Sequence, residues 1–234
     1  MKALNIITRT SGRPNFFNIC MRSIRAQTYN NIKHIVLVDT NNDNTYVNRY
    51  EEEIDKIIRI PEGKYKHFDQ YLNEALEYMP KGELFCMMDD DDFYTCPDAL
   101  AKAVIELGDG DICFYRVRAA GGTVPSQEMM VSSNKELVMG QLSMLGFIMS
   151  TDFTYNSEGE LIKFSEGYGG DFRFINTVVN TNSTGDSPYN NPRFKWLNQI
   201  LASTNPACRQ GSGKQNDIDL SAGIQGYKGA STCS

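Results

Sequence analysis

Leu84-Phe85-Cys86-Met87-Met88-Asp89-Asp90-Asp91-Asp92 passes without a break from five apolar residues to four consecutive carboxylates. The apolar run predicts a strand buried on both faces. The carboxylates then fall at its carboxyl end, where open α/β sheets bind ligands. A solvated acidic turn is the plain alternative for any charge run. Against it, four adjacent carboxylates repel one another, a cost that a divalent cation removes. Oxygen-only ligands select Mn²⁺ or Mg²⁺.

Upstream of this stretch, Ala3–Ile7 reads as a buried strand, and Pro14 opens a helix where its missing N–H costs nothing. Phe16, Phe17, Cys20 and Ile24 share one face of that helix. Ile32–Val38 is a second strand, ending in Asp39 and the loop Thr40–Thr45. Tyr46–Lys56 predicts a helix and Ile57–Ile60 a short strand stopped by Pro61. Phe68, Leu72, Ala75 and Met79 are spaced i, i+4, i+7, i+11, which predicts an amphipathic helix over Phe68–Met79. Downstream, Pro97–Leu107 is a helix with Asp98 in its first turn and Gly108 past its end. Ile112–Val117 is the next strand. This alternation argues for an α/β fold, an open and mostly parallel twisted sheet flanked by helices on both faces.

The second half is less regular. Gly121-Gly122 marks a turn, and Glu136–Ile148 is apolar but open between helix and strand. Asp171–Val179 predicts a helix after the loop Gly167-Tyr168-Gly169-Gly170, and Arg193–Ala202 a last helix carrying Trp196. The domain so delimited is 1–202, with a nucleotide-binding half of about 1–118 and an acceptor half of about 119–202. Residues 203–234, rich in Gly, Ser, Asn and Gln, read as a flexible tail or an expression remnant.

Composition narrows the function classes. The 234 residues are about one and a half typical domain lengths. A chain of this size buries about 70–75% of its unfolded surface, so it needs no disulfide or structural metal to fold. The net charge of −6, with no basic block, excludes a nucleic-acid partner that needs its phosphates neutralised. No window approaches the ~20 apolar residues of a transmembrane segment. The apolar run before Arg9 is too brief for a signal-peptide core, so a cytoplasmic location is expected. Asn182-Ser183-Thr184 matches a glycosylation sequon, which means little without secretion. The six cysteines form no Cys-x-x-Cys pair and are read as reduced, mostly buried thiols. His34 and His67, the two histidines, are read as surface or half-buried residues rather than ligands, and Trp196 and Phe194 as core in preference to an acceptor platform.

Four stretches carry a resemblance. Thr8-Arg9-Thr10-Ser11-Gly12-Arg13-Pro14 with Ser23-Ile24-Arg25-Ala26-Gln27-Thr28-Tyr29 resembles the opening strand and first helix of GT-A-fold glycosyltransferases of the family-2 type, whose sheet is Rossmann-like. Ile35-Val36-Leu37-Val38-Asp39 resembles their second strand and its base-contacting aspartate. Phe85–Asp92 resembles their Asp-x-Asp-Asp motif, and Gly169-Gly170-Asp171-Phe172-Arg173-Phe174 sits where such enzymes carry a Glu-Asp pair opening a helix.

The resemblance implies an inverting hexosyltransferase that uses a UDP-sugar donor, a glycan or glycoprotein acceptor, and Mn²⁺ or Mg²⁺. It implies Asp171 as the base, Asp39 at the uracil edge, Thr8 and Arg13 lining the nucleotide pocket, Asp89 at the ribose and Asp91 on the metal. By analogy it extends to compact viral or bacterial members that build surface glycans. Departures are Thr40 in place of a second aspartate, Tyr71-Leu72-Asn73 without the phosphate-facing arginine, and Gly170 in place of the acid before Asp171. Lys64, Lys66 and Arg9 compete to supply the missing cation. Asp152 and Glu166 are rivals to Asp171. A sugar-1-phosphate nucleotidyltransferase would want a Gly-rich basic loop that Thr8–Pro14 lacks. A non-catalytic nucleotide- or glycan-binding module is the alternative from another class.

Overall fold

A computed structural model describes residues 1–39, 44–119, 121–133, 135, 138–167, 169–183, 191 and 193–204. Its strands are β1 (Leu4–Thr10), β2 (Ile32–Asp39), β3 (Lys56–Ile60), β4 (Leu84–Met87), β5 (Asp92–Tyr94), β6 (Ile112–Ala119), β7 (Gly122–Val124), β8 (Phe147–Ser150) and β9 (Phe194–Thr204). Its α-helices are α1 (Pro14–Arg25), α2 (Leu72–Tyr78), α3 (Ala99–Leu107), α4 (Gln127–Val131) and α5 (Gly170–Asn182). One mixed sheet runs β3-β2-β1-β4-β8-β6-β9-β5, with β7 paired to β6. The first four strands are parallel, as is the long β6–β9 ladder. The shorter ladders, β4–β8, β6–β8, β6–β7 and β5–β9, are antiparallel.

Alternation along the central strands divides the core. Ile7, Phe85, Met87 and Phe114 face α2 and α5. Leu4, Ile6, Cys86 and Tyr115 face the side of α3. Both faces are therefore covered, which is why β4 is apolar throughout and β1 is apolar from Leu4 to Ile7 save for Asn5. β1 nonetheless continues three residues beyond the apolar stretch, through Thr8, Arg9 and Thr10, all buried. Each of these polar side chains has a partner, and burial is tolerated for that reason.

Several expectations are corrected. Arg193–Ala202 is not a helix but lies almost wholly in β9, held between β6 and β5. Tyr115 pairs with Leu197 and Arg116 with Ile200, so Asn198 and Gln199 bulge out. That insertion breaks the two-residue alternation and spaces the apolar residues as a helix would. Tyr46–Lys56 forms no α-helix: Thr45–Glu53 is a 3₁₀ segment that buries only Tyr46 and Val47, too narrow a face for packing to sustain α-helix, and Lys56 opens β3. Phe68–Met79 splits into a 3₁₀ turn, Phe68–Tyr71, and α2. Of the ambiguous stretch, Phe147 and Ile148 begin a strand, while Glu136 and Leu137 lie outside the described residues. Trp196 stacks on Phe114 at 4.5 Å and Phe194 is buried, so both belong to the core.

His34 is fully enclosed rather than half-buried. Cys20, Cys86 and Cys113 are free and buried; Cys96 departs from the expectation of reduced thiols, being disulfide-bonded. Cys208, Cys233, Thr40, Tyr168, Thr184 and the tail beyond Thr204 lie outside the described residues. Among the described residues no helix is long and apolar enough to cross a membrane.

Candidate functional site

Where β4 ends, the chain turns through Asp89–Asp91 and re-enters the sheet as β5, with Asp92 opposite Thr204 of β9. The loop is fixed from the β1 side. Asp90 N–H donates to the Arg9 carbonyl at 3.1 Å and Met88 N–H to Ile7 at 2.9 Å. Asp90 itself points inward and is fully buried. Thr10 donates to its Oδ2 at 2.6 Å, and Arg13 binds both its oxygens while reaching Asp91 Oδ2 at 3.1 Å. Burial pushes the Asp90 carboxyl up to about 7 against the opposing pull of Arg13. It anchors the loop, and the other three aspartates carry its chemistry.

Asp89, Asp91 and Asp92 each present a carboxylate oxygen, and these oxygens lie within 4.8 Å of one another. Burial, reinforced by the three neighbouring aspartates, drives the Asp92 carboxyl well above the usual carboxylate range. Burial would also raise Asp89, but the Arg9 guanidinium outweighs it and holds that group below its ordinary value. A hard divalent cation fits such a set, because it satisfies clustered oxygens and cancels their repulsion.

A cavity of about 590 Å³ opens over this loop. Arg9, Asp69, Asp89, Asp91, Asp92 and Asp171 line its polar side, and Phe68, Met139, Leu142, Met144 and Phe172 its apolar side. Asp171 sits in the first turn of α5, behind Gly169, whose positive φ of 74° begins the helix. Its Oδ1 accepts the Phe172 N–H at 2.8 Å. Burial pushes the Asp171 carboxyl up; the Phe172 N–H opposes this and Asp69 adds to it. A raised carboxylate is the better proton acceptor near neutral pH.

The expected site residues divide on this geometry. Asp89, Asp91 and Asp171 meet at the cavity. Thr8 does not reach it: the hydroxyl is fully buried, 2.9 Å from His34 Nε2. Arg13 is committed to Asp90 and Asp91, and Asp39 stands half-buried at the end of β2, where Ser11 donates to it at 3.3 Å. Among the rival bases, Asp152 accepts the Gly82 N–H at 3.0 Å and Glu166 faces Lys66 at 3.8 Å; neither lines the cavity. Of the rival cations, Lys64 pairs with Glu74, and only Arg9 lines the cavity. His67 lines it too.

Two residues were missed. Asp92 was in plain view as the last of the acidic run but was given no role. Asp69 reads as the polar face of a helix. Nothing in the sequence shows that it turns inward to Arg9.

The model for the family described as "Glycosyl transferase family 2" matches residues 6–165. No curated protein matches the chain. Among solved structures, S. aureus TarS 1-349 superposes with a TM-score of 0.63 at 15% identity, over 86% of this chain and 60% of that one. Glucosyl-3-phosphoglycerate synthase from Mycobacterium tuberculosis, solved with Mg²⁺ and UDP, gives 0.60 at 12% identity, over 87% and 71%. Mannosyltransferase PcManGT from Pyrobaculum calidifontis, solved with GDP-Man and Mn²⁺, gives 0.58 at 15%, over 76% and 52%. The chain thus spans about 60% of TarS 1-349, and at these identities the likeness is one of fold. With the family model matching well over half of its length and glycosyltransferases sharing its GT-A architecture, the chain belongs to glycosyl transferase family 2.

Proposed function

We propose that the chain is an inverting glycosyltransferase moving a hexose-type sugar from a UDP-sugar to a hydroxyl of a glycan or glycoprotein. The observation that carries this reading is that Asp171 and the three clustered aspartates line one cavity. In a single displacement the bond from the acceptor oxygen to the anomeric carbon forms as the bond to the diphosphate oxygen breaks. The acceptor hydroxyl must shed its proton during attack, and Asp171 receives it. Asp91, with Asp89 and Asp92, would hold Mn²⁺ or Mg²⁺, which would supply the positive charge that a departing diphosphate requires. Asp89 also receives the ribose and Asp39 the uracil edge. Thr8 and Arg13 act from behind the nucleotide site, the one through His34 and the other through Asp90 and Asp91. TarS has been solved with UDP and with UDP-GlcNAc, and glucosyl-3-phosphoglycerate synthase with UDP, which supports a uridine donor.

Calorimetric titration of UDP with Mn²⁺, then with EDTA, tests the donor site. Binding in the micromolar range, about −8 kcal/mol, that needs both the metal and Asp91 is expected, with Asp91→Asn abolishing it. Asp171→Asn should keep UDP binding and lose UDP release from a UDP-sugar. Equal, weak binding in every condition would sink the reading and leave a non-catalytic module.

A further inference from the structure

Asp69 is a cavity carboxylate that the reading above leaves without a role. It is only 6% exposed, yet its side chain reaches the cavity wall. Oδ1 accepts Arg9 Nη1 at 2.7 Å, and Oδ2 has no hydrogen-bond partner among the described residues. That second oxygen occupies a notch. A Cβ on Gly170 would stand 2.9 Å from the Asp69 Cγ and closer still to Oδ2. The bare Cα at 170 is therefore what admits the carboxylate, and the next residue is Asp171.

The environment selects what this oxygen can bind. Asp69 lies outside the group of oxygens that could share a metal ion, with the Arg9 guanidinium bonded to both Asp69 and Asp89. A phosphate is repelled by its charge. A neutral O–H donor fits: it satisfies the carboxylate oxygen that Arg9 leaves open at the cavity wall, and hydrogen bonds to carboxylates are among the stronger ones. Between Asp89, on the diphosphate side, and Asp171, on the acceptor side, the molecule rich in such donors is the transferred sugar. We propose that Asp69 is a specificity-determining residue, its Oδ2 accepting a hydrogen bond from a hydroxyl of the donor sugar while Oδ1 stays on Arg9. Gly170 is the positioning residue that keeps the notch open. A site built to bond one hydroxyl discriminates strongly against sugars that lack or invert it. The inference rests on the UDP-sugar reading.

The test is titration of the whole chain, in Mn²⁺, with UDP and then with UDP-glucose, UDP-galactose and UDP-GlcNAc, on the native protein, Asp69→Asn and Gly170→Ala. The native protein should bind one UDP-sugar more tightly than UDP. Asp69→Asn puts a donor where the free oxygen stands, and Gly170→Ala pushes the carboxylate out of the notch without removing it. Both should lose about tenfold or more in affinity for that UDP-sugar while UDP itself stays within about threefold. Melting curves check that each variant folds, and Gly170→Ala carries the test if Asp69→Asn does not. An equal loss for UDP and UDP-sugar means that Asp69 acts only through Arg9 and Asp89, and overturns the sugar contact. So does no loss in either variant, or a native protein that binds UDP but no UDP-sugar more tightly. A native protein that binds neither overturns the UDP-sugar reading itself.

Discussion

The Arg9 guanidinium grips the Asp89 carboxylate side-on, Nε to Oδ1 at 2.7 Å and Nη2 to Oδ2 at 2.6 Å. Its third bond, to Asp69, and the Phe68 ring 4.6 Å above it complete the enclosure. One cation from the end of β1 thus sets the direction of two site carboxylates on other elements.

Replacing that cation leaves the buried Asp69 and half-buried Asp89 carboxylates without their shared counter-charge. Arg9→Ala should cost about 3–5 kcal/mol in urea unfolding, as when one partner of a buried ion pair is removed. Arg9→Lys should recover part of the stability but not the side-on geometry. A loss below about 1 kcal/mol for Arg9→Ala would show that water reaches Asp69 and Asp89 freely.

Asp92 predicts opposite effects with and without metal. Its carboxyl is driven up by burial and by its neighbours, so at neutral pH the charge destabilises the free protein. Asp92→Asn should raise the melting temperature in EDTA, by on the order of 1 kcal/mol in stability. It should also erase most of the stabilisation that Mn²⁺ gives the native chain. A variant that Mn²⁺ stabilises as much as the native protein removes Asp92 from the metal set.

His34 makes stability fall with acidity. Burial holds its imidazole down to about 4, against the ordinary 6.5. Between these values the unfolded chain binds a proton that the folded chain refuses. Stability therefore falls as pH drops through that window, by about 3 kcal/mol in all. Urea titrations of native protein and His34→Gln at about pH 7 and about pH 4 should show the native protein losing that much more than the variant. Parallel losses would mean that His34 takes up its proton in the folded state.

Asn73 pins the approach to α5. Its amide donates to the Phe164 carbonyl at 3.1 Å and accepts the Phe164 N–H at 2.8 Å, all buried. Asn73→Ala leaves both backbone groups unpaired and should cost about 2–4 kcal/mol. Faster hydrogen exchange around residues 164–167 is the local signature to measure. Unchanged exchange there would show that the stretch is held by other contacts.

The sequence was most legible where one local signal decided the outcome. Pro14 starts α1, and the break from Met88 to Asp89 ends β4. The sequence was misleading where polar residues are buried with partners from afar. Thr8, Arg9 and Thr10 look like the end of a strand, yet His34, Asp89 and Asp90 carry it inward. Asp69 fails for the same reason, since its partner is sixty residues away. β9 hid because a bulge gave it a helical spacing, and only its pairing with β6 and β5 shows what it is. The aspartate cluster could be read off the chain; that Arg9, rather than Lys64 or Lys66, orients it could not.

Asp92 lies opposite Thr204 in the β5–β9 ladder, and this fixes when the site can exist. During synthesis the four aspartates emerge more than a hundred residues before the strand that braces them. Until β9 arrives, the loop is held from the β1 side alone, and Asp92 lacks the strand that braces it. A truncation within β9 therefore removes a wall of the cavity, Thr204 included, rather than trimming an end. Maturation of the site is a late event, reserved for a chain long enough to close its own sheet.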